Sequence, residues 1–302
     1  MNQTCTLGID VGGTNIKFAR VFADGTLDKK QKVNTPETLE GFLNQIDEIF
    51  KQFDSEKVEA VAISLPGKVD SNKGIVYFGG SVKYLHHFDF KKHFREAYGK
   101  RCTIINDGKA AALCELWLGN LKGVKDGLAI TLGTGVGGGI IIDGKLHQGN
   151  TFQAGELSFI TQDPFNPDRE NLIGYQLSAV DFIAKCGVML KLEKPYDGER
   201  VFEEICKKDN PTLNAMFAAY IKRLLNLIVN LQAILNMEKV LIGGGISEQP
   251  IVLDELKRQY AELRKVSPIF GQVFEPLAFD TCAFKNNSNI LGAVYASMQE
   301  EV

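Results

Sequence analysis

The stretch "TLGIDVGGTNIKFARVFADGTL" (Thr6–Leu27) is echoed by "DGLAITLGTGVGGGIIIDGKL" (Asp126–Leu146), in different residues but in the same order of parts. Each copy runs from an apolar segment to a small polar residue among clustered glycines, then to a second apolar segment and an Asp-Gly pair. Asp-Gly suits the positive φ of a tight two-residue turn, so "ADGTL" and "IDGKL" are predicted hairpin turns. Each copy therefore predicts strand, glycine turn, strand, Asp-Gly turn, strand. A hairpin followed by strand–helix units, written twice, predicts two lobes of related topology.

Short, often β-branched runs bounded by Gly, Asn, Asp or Pro predict strands over Thr6–Val11, Ile16–Phe22, Ala60–Leu65, Cys102–Ile105, Leu128–Leu132, Gly138–Ile142 and Lys239–Ile242. Helical periodicity predicts helices over Leu39–Phe53, Lys109–Leu118, Ala179–Leu190, Asn214–Met237, Ile251–Leu263 and Asn289–Met298. The alternation of the two argues an α/β fold. With 302 residues, 44% of them hydrophobic, the chain is too long for one compact core and comfortable for two. The turn-rich "LGNLKGVKDG" predicts the boundary near Leu118–Lys125.

Charged residues make up 24% of the chain and the net charge is -3, so no basic footprint points to a nucleic-acid partner. A strand begins almost at once, and no leader peptide is expected ahead of it. The most apolar long stretch, Phe217–Met237, carries Lys222, Arg223 and three asparagines. It reads as a buried amphipathic helix rather than a membrane span. The six cysteines include no CxxC spacing, so reduced, buried cysteines in a cytoplasmic protein are expected. His86, His87, His93 and His147 show no metal-ligand spacing and read as surface or loop residues. Trp117 and Leu118 read as core.

Four pieces carry chemistry. In "GIDVGGTNIK", Gly12 and Gly13 let backbone N–H groups approach an anion with no Cβ in the way. Asp10 ends a strand and offers carboxylate oxygen to Mg²⁺, directly or through water. Thr14 offers a hydroxyl to a phosphate, and Lys17 adds positive charge. No Walker A pattern is present, and the turn leads into a strand, which excludes a Rossmann fingerprint. The second piece, "TLGTGVGGG", repeats the phosphate logic with Thr131, Gly133, Thr134 and Gly135. Facing each other across a cleft, the two turns could hold one polyphosphate from both sides. In the third, "IINDGKAAALCE", Asn106 and Asp107 stand where a strand ends and a helix begins. An Asp there can be a plain N-cap, or the carboxylate that accepts a hydroxyl proton in phosphoryl transfer. In the fourth, "LIGGGIS", three glycines (Gly243–Gly245) let a flat base lie close on the backbone.

These pieces, in this order and spacing, resemble the ROK family (repressors, open reading frames and sugar kinases) of the actin-like ATPase superfamily. The likeness runs from "GIDVGGTNIK" through "SLPGKVD", "NDGKAAALCE", "TLGTGVGGGI", "FQAGELSF" and "VLIGGGIS" to "NNSNILGAVYASM". It implies two lobes of actin-like (ribonuclease H-like) topology around a nucleotide and sugar cleft: residues 1–118 with 289–302, and residues 119–288. It implies transfer of the γ-phosphoryl of ATP to a sugar hydroxyl, usually that on C6, with Mg²⁺ as cofactor. Asp107 resembles the general base. Gly67, Asn106 and Glu156 resemble the sugar ligands. Asp10, Gly12, Gly13, Thr14, Lys17, Thr131, Gly133, Thr134 and Gly135 fall on the phosphate loops, and Gly244 and Gly245 on the adenosine loop. A homodimer is expected from the family, with the second lobe carrying the contact.

The departures from the family pattern narrow the expectation. Many members read Glu-x-Gly-His at the sugar site, followed by cysteines, and that histidine and three cysteines hold structural zinc. Here the stretch is "GELSFITQDPFNPDREN", Phe159 stands at the histidine position, and no cysteine occurs between Cys114 and Cys186, so no zinc is expected. The second sugar-site glutamate is lost too, with Glu170 nearby, and Lys109 replaces a usual asparagine. Zinc-free relatives of this pattern include β-glucoside kinases, which "VYFGGSVKYL" resembles, and N-acetylmannosamine kinases, which "GGGISEQ" and "YQLSA" resemble. A pocket without those His and Glu contacts has room for a bulkier C1 or C2 substituent. Glucose or a β-glucoside is the leading substrate, N-acetylmannosamine the alternative, and a non-catalytic sugar sensor the reading from another class. A repressor of the family would carry a helix-turn-helix module ahead of the first glycine turn, where only five residues precede Thr6.

Overall fold

The computed structural model describes residues 4–54, 58–161, 163–166 and 168–300. Gln162 and Pro167 of the "GELSF" stretch lie outside the described residues. In chain order the elements begin β1 (Cys5–Val11), β2 (Asn15–Val21), β3 (Leu27–Asn34), α1 (Leu39–Asp54) and β4 (Val58–Leu65). They continue with β5 (Lys68–Asp70), β6 (Ile75–Phe78), β7 (Phe88–Asp89), α2 (Phe90–Tyr98), β8 (Arg101–Asn106) and α3 (Asp107–Trp117). Then come β9 (Gly127–Leu132), β10 (Val136–Ile142), β11 (Lys145–His147), α4 (Ile173–Gln176), α5 (Ala179–Met189), α6 (Gly198–Lys207) and α7 (Pro211–Leu235). The chain closes with β12 (Lys239–Gly243), α8 (Pro250–Val266), α9 (Pro268–Val273), β13 (Ala278–Thr281) and α10 (Ser288–Gln299).

Two compact units result: Met1–Lys122 with Leu146–Ala154 and Asn286–Val302, and Gly123–Lys145 with Gly155–Lys285. Each doubled phrase builds one five-stranded sheet, ordered β3-β2-β1-β4-β8 and β11-β10-β9-β12-β13. Counted along the chain, both sheets have the order third, second, first, fourth, fifth. β1 pairs antiparallel with β2 and parallel with β4, and β9 pairs antiparallel with β10 and parallel with β12. The Asp-Gly turns differ in detail. Asp143 and Gly144 are both left-handed, as a type I′ turn requires, whereas in the first copy only Gly25 is.

β1 is buried along nearly its whole length, as befits a strand covered on both faces. Leu7, Ile9 and Val11 belong to the core that α1 supplies with Phe42, Ile46 and Phe50 and α2 with Phe90 and Phe94. On the opposite face Gly8 lies against Ile290 and Val294 of α10. α10 also crosses α3, where a Cβ at Gly292 would collide with the Ala110 carbonyl. Trp117 is half-buried and stacks on Tyr295 at 5.1 Å, so it packs at the margin of the core. In the second unit α7 is apolar and long enough to cross a membrane by length and composition alone. Leu213, Phe217, Tyr220, Ile221, Leu224 and Ile228 are nonetheless buried inside this unit.

Two expectations need correcting. His93 is not a surface residue: it is half-buried among Phe88, Phe94 and Tyr98, with Nε2 3.7 Å from Asp47. Cys206 is exposed, because it points away from the buried face of α6 formed by Val201, Phe202 and Ile205. His86 and His87 lie in a turn, with φ +59° at His87, and both are exposed, as is His147, in keeping with the expectation of surface or loop residues.

Candidate active site

In the first unit, the parallel strands β1, β4 and β8 end on one edge of the sheet. Ligands of open α/β sheets collect outside such carboxyl ends. Asp10 comes off β1, Gly67 follows β4, and Asn106 and Asp107 straddle the join of β8 and α3. Asp10 is 7% exposed. Its register partner Lys17 brings Nζ to 3.6 Å from Oδ2, and Asn289 of α10 donates to Oδ1 at 3.1 Å. The glycine turn is tight: Gly12 N–H donates to the Asn15 carbonyl at 2.9 Å, and the Thr35 hydroxyl donates to the Gly12 carbonyl at 2.7 Å. Gly13 and Thr14 are exposed at its tip.

Asn106 caps α3. Its Oδ1 accepts from Lys109 N–H at 3.3 Å, while its Nδ2 donates to the Gly67 carbonyl at 3.1 Å. One side chain thus starts the helix and holds the "SLPGKVD" loop. Gly67 takes φ +89°, and a Cβ there would collide with the Phe78 carbonyl, so only glycine fits. Asp107 is the first residue of α3, with Oδ1 accepting from Gly108 N–H at 2.8 Å. Lys109, at the position of the usual asparagine, is fully buried.

In the second unit, β9 and β12 are neighbours, with Thr131 opposite Gly243. The "TLGTG" turn and the "GGG" turn therefore leave the sheet side by side. Gly244 takes φ +90°, and a Cβ there would collide with the Leu132 carbonyl, so glycine is required where the two turns touch. Gly133 N–H donates to the Gly135 carbonyl at 3.0 Å, and the Gly133 carbonyl accepts from Ala179 N–H at 2.8 Å. That bond ties the turn to the first residue of α5. A cavity of about 460 Å³ opens beside these turns, lined by Gly133, Val180, Ile183, Tyr196, Gly245 and Gln249. It is within the size range of small-ligand sites.

Glu156 precedes a single 3₁₀ turn, Leu157–Phe159, and is half-buried. Ser158 Oγ accepts from Val136 N–H at 2.8 Å, fastening this turn to β10 directly after Gly135. Phe159 is 70% exposed. Glu170 is exposed and contributes its backbone carbonyl to Gln176 at 2.8 Å. Among the described residues no group of three or more His, Cys, Asp or Glu is arranged to hold a metal ion.

The first unit thus gathers Asp10, Gly12, Gly13, Thr14, Lys17, Gly67, Asn106 and Asp107, and the second gathers Thr131, Gly133, Thr134, Gly135, Gly244 and Gly245, with Glu156 fastened alongside. The supporting partners escape sequence reasoning. Asn289 lies 279 residues from Asp10, and although Ser158 falls in "FQAGELSF" and Ala179 in "YQLSA", neither stretch marks its hydrogen-bond partner.

Paired sheets of this order, with glycine turns after the first strand of each, define an α/β protein of the actin-like ATPase fold. The ROK family model matches residues 6–299, and the chain belongs to that family. It is 29% identical over 297 residues to a β-glucoside kinase of Listeria innocua, covering 97% of each chain. It is 27% identical over 303 residues to an N-acetylmannosamine kinase of Haemophilus influenzae, covering 96% of this chain and 94% of that one. Among solved structures, a ROK family glucokinase from Streptomyces griseus in complex with glucose and AMPPNP superposes with a TM-score of 0.79 at 26% identity. That likeness covers 98% of this chain and 99% of the other.

Proposed function

We infer that this sugar kinase of the ROK family moves the γ-phosphoryl of ATP to the C6 hydroxyl of glucose or of a β-glucoside, with Asp107 as general base. The observation that carries the reading is the arrangement around Asn106, which ties Gly67 to the residue before Asp107. A sugar held by Asn106 and the Gly67 loop presents a hydroxyl to the Asp107 carboxylate. Asp107 accepts the hydroxyl proton as the sugar oxygen bonds to the γ-phosphorus. The bond from that phosphorus to the β-phosphate oxygen breaks, and ADP leaves. Proton acceptance of this kind contributes typically 10²–10⁴-fold, and the remainder comes from positioning and charge stabilisation. Glu156 is read as a further sugar ligand.

The turn at Gly12–Thr14 and the turn at Thr131–Gly135 are read as the two phosphate grips, and the cavity beside Gly245 as the adenosine seat. Asp10 fits Mg²⁺: it is a buried carboxylate at the phosphate turn, and hard cations take oxygen donors. Its two oxygens already face Asn289 and Lys17, which suits contact through water. When bound, the ion supplies neutralising charge to the phosphates. We read the protein as zinc-free, cytoplasmic and dimeric, with no nucleic-acid or membrane partner. The relative from Haemophilus influenzae supports N-acetylmannosamine as the alternative substrate.

A coupled ADP-release assay with Mg-ATP against glucose, mannose, N-acetylglucosamine, N-acetylmannosamine, cellobiose and gentiobiose tests this reading. Turnover of glucose or the β-linked disaccharides well above the rest is the expected outcome. Preference for N-acetylmannosamine would move the assignment to the alternative. Thermal stabilisation by a sugar with no ADP release would make the protein a sensor.

A further inference from the structure

We propose that Phe78 and His86 form an aromatic platform that stacks against a ring carried on C1 of a β-glucoside substrate. This inference rests on the reading of Gly67, Asn106 and Asp107 as the sugar end of the site. Phe78 is 51% exposed although it closes a strand, and His86 is exposed beside it. Their ring centroids are 5.3 Å apart with planes inclined by 39°. Several large apolar side chains are exposed on this chain, and Phe78 is set apart by its carbonyl, which lies against Gly67.

The platform is held firmly from below. β6 pairs with both β5 and β7, and Phe78 lies opposite Lys68. The intervening turn is closed by Val82 N–H to the Gly79 carbonyl at 2.8 Å and by Leu85 N–H to the Val82 carbonyl at 3.1 Å. Val82 and Leu85 are fully buried under it, and the Tyr84 hydroxyl donates to the Pro36 carbonyl at 2.6 Å. His87 N–H donates to the Val76 carbonyl at 2.7 Å just beyond His86. Both rings therefore ride a segment pinned at each end, on residues that remain exposed. Little backbone freedom remains to be lost on binding, which lowers the ordering cost of an aromatic contact here.

The platform also stands in a defined place. The Phe78 carbonyl abuts the α-carbon of Gly67, and the Gly67 carbonyl is held by Asn106, the residue before Asp107. A sugar engaged at Asn106 and Asp107 carries its substituent past Gly67 toward Phe78. The flat apolar face of an aryl group or a second pyranose matches an aromatic face; a bare hydroxyl at C1 leaves the platform unused. Ring pairs of this kind contribute enough to shift a substrate ratio by roughly tenfold.

The test compares kcat/KM for phenyl β-glucoside and cellobiose with that for glucose. In Phe78→Ala the ratio of either glucoside to glucose is expected to fall about tenfold, and in His86→Ala at least about threefold. Phe78→Leu, which keeps apolar bulk and strand pairing, is expected to lose most of the ratio; Phe78→Trp is expected to keep it within about twofold. Ratios within about twofold of wild type in both alanine variants would overturn the platform, and sugar turnover lost in Asp107→Asn would still support the kinase reading. Should the wild-type protein turn over none of these sugars, the substrate reading fails by itself, and calorimetry decides the platform. Tighter binding of phenyl β-glucoside than of glucose, abolished by Phe78→Ala, would support it. Equal binding, or none, would overturn it.

Discussion

Asn106 performs two tasks with one amide. Its oxygen caps α3 and its nitrogen holds the Gly67 carbonyl. Asn106→Ala removes both, and the loss of a cap of this kind costs about 1 kcal/mol. The variant is expected to unfold a few degrees earlier by calorimetry and to raise the sugar KM at least about tenfold, with the KM for ATP nearly unchanged. Asn106→Asp, which keeps the cap oxygen and loses the donor, should recover the stability and not the sugar KM. The cap expected at Asp107 is made by Asn106 instead, with Asp107 the first helical residue, and only the helix start was legible from "IINDGK". The Gly67 contact was not, since nothing local pairs positions 39 residues apart. Asp10 teaches the same lesson: its place at the end of β1 was readable, and its partner in α10 was not.

Long apolar runs were readable; β3 was expected only from the Asp-Gly turn before it, and the short helices α2 and α6 were missed although each buries an apolar face. β1, β4, β9 and β12 emerge within a few residues of expectation because their apolar runs are long and sharply bounded. β3 reads "LDKKQKVN", with Lys29, Lys30 and Lys32 exposed. It is an edge strand defended by charge, and such a strand carries no alternating pattern. The sheet β5-β6-β7 has strands of two to four residues, too short for periodicity to register. The β2–β3 hairpin does carry one clear cross-strand feature, the bidentate Arg20–Asp28 pair at 2.8 and 2.6 Å. The Arg20 hydrogen bonds hold the Asp28 carboxyl below its ordinary 3.8. A depressed carboxyl pKa gives stability that is present above the unfolded value and is lost as pH falls through the folded one. The Tm gap between wild type and Arg20→Gln is therefore expected to be open at pH 6 and to close below about pH 4. Asp28 is 42% exposed, so the gap corresponds to no more than about 1 kcal/mol. Where α10 crosses α3, Gly292→Ala would force the helices apart at Ala110. That overpacking is expected to cost about 1–3 kcal/mol. Because α3 carries Asp107 at its start, kcat should fall with it.

Across the whole molecule, one idea used twice accounts for the architecture. Each hairpin copy supplies three strands of a sheet of the same strand order, and each places a glycine turn after its first strand. That doubling was legible because the glycines and Asp-Gly turns punctuate both copies alike. The helices added after each hairpin differ between units, so the second copy's cavity, with Tyr196, Val180 and Ile183 in its wall, could not be read from the first. Asp107 is proposed to take the proton of a sugar hydroxyl during transfer from ATP. The most direct measurement is sugar-dependent ADP release by Asp107→Asn, paired with its Kd for ATP by calorimetry. Retained ATP affinity within about twofold, with kcat lower by roughly 10²–10⁴, is the predicted result. A kcat within tenfold of wild type would show that another group takes the proton.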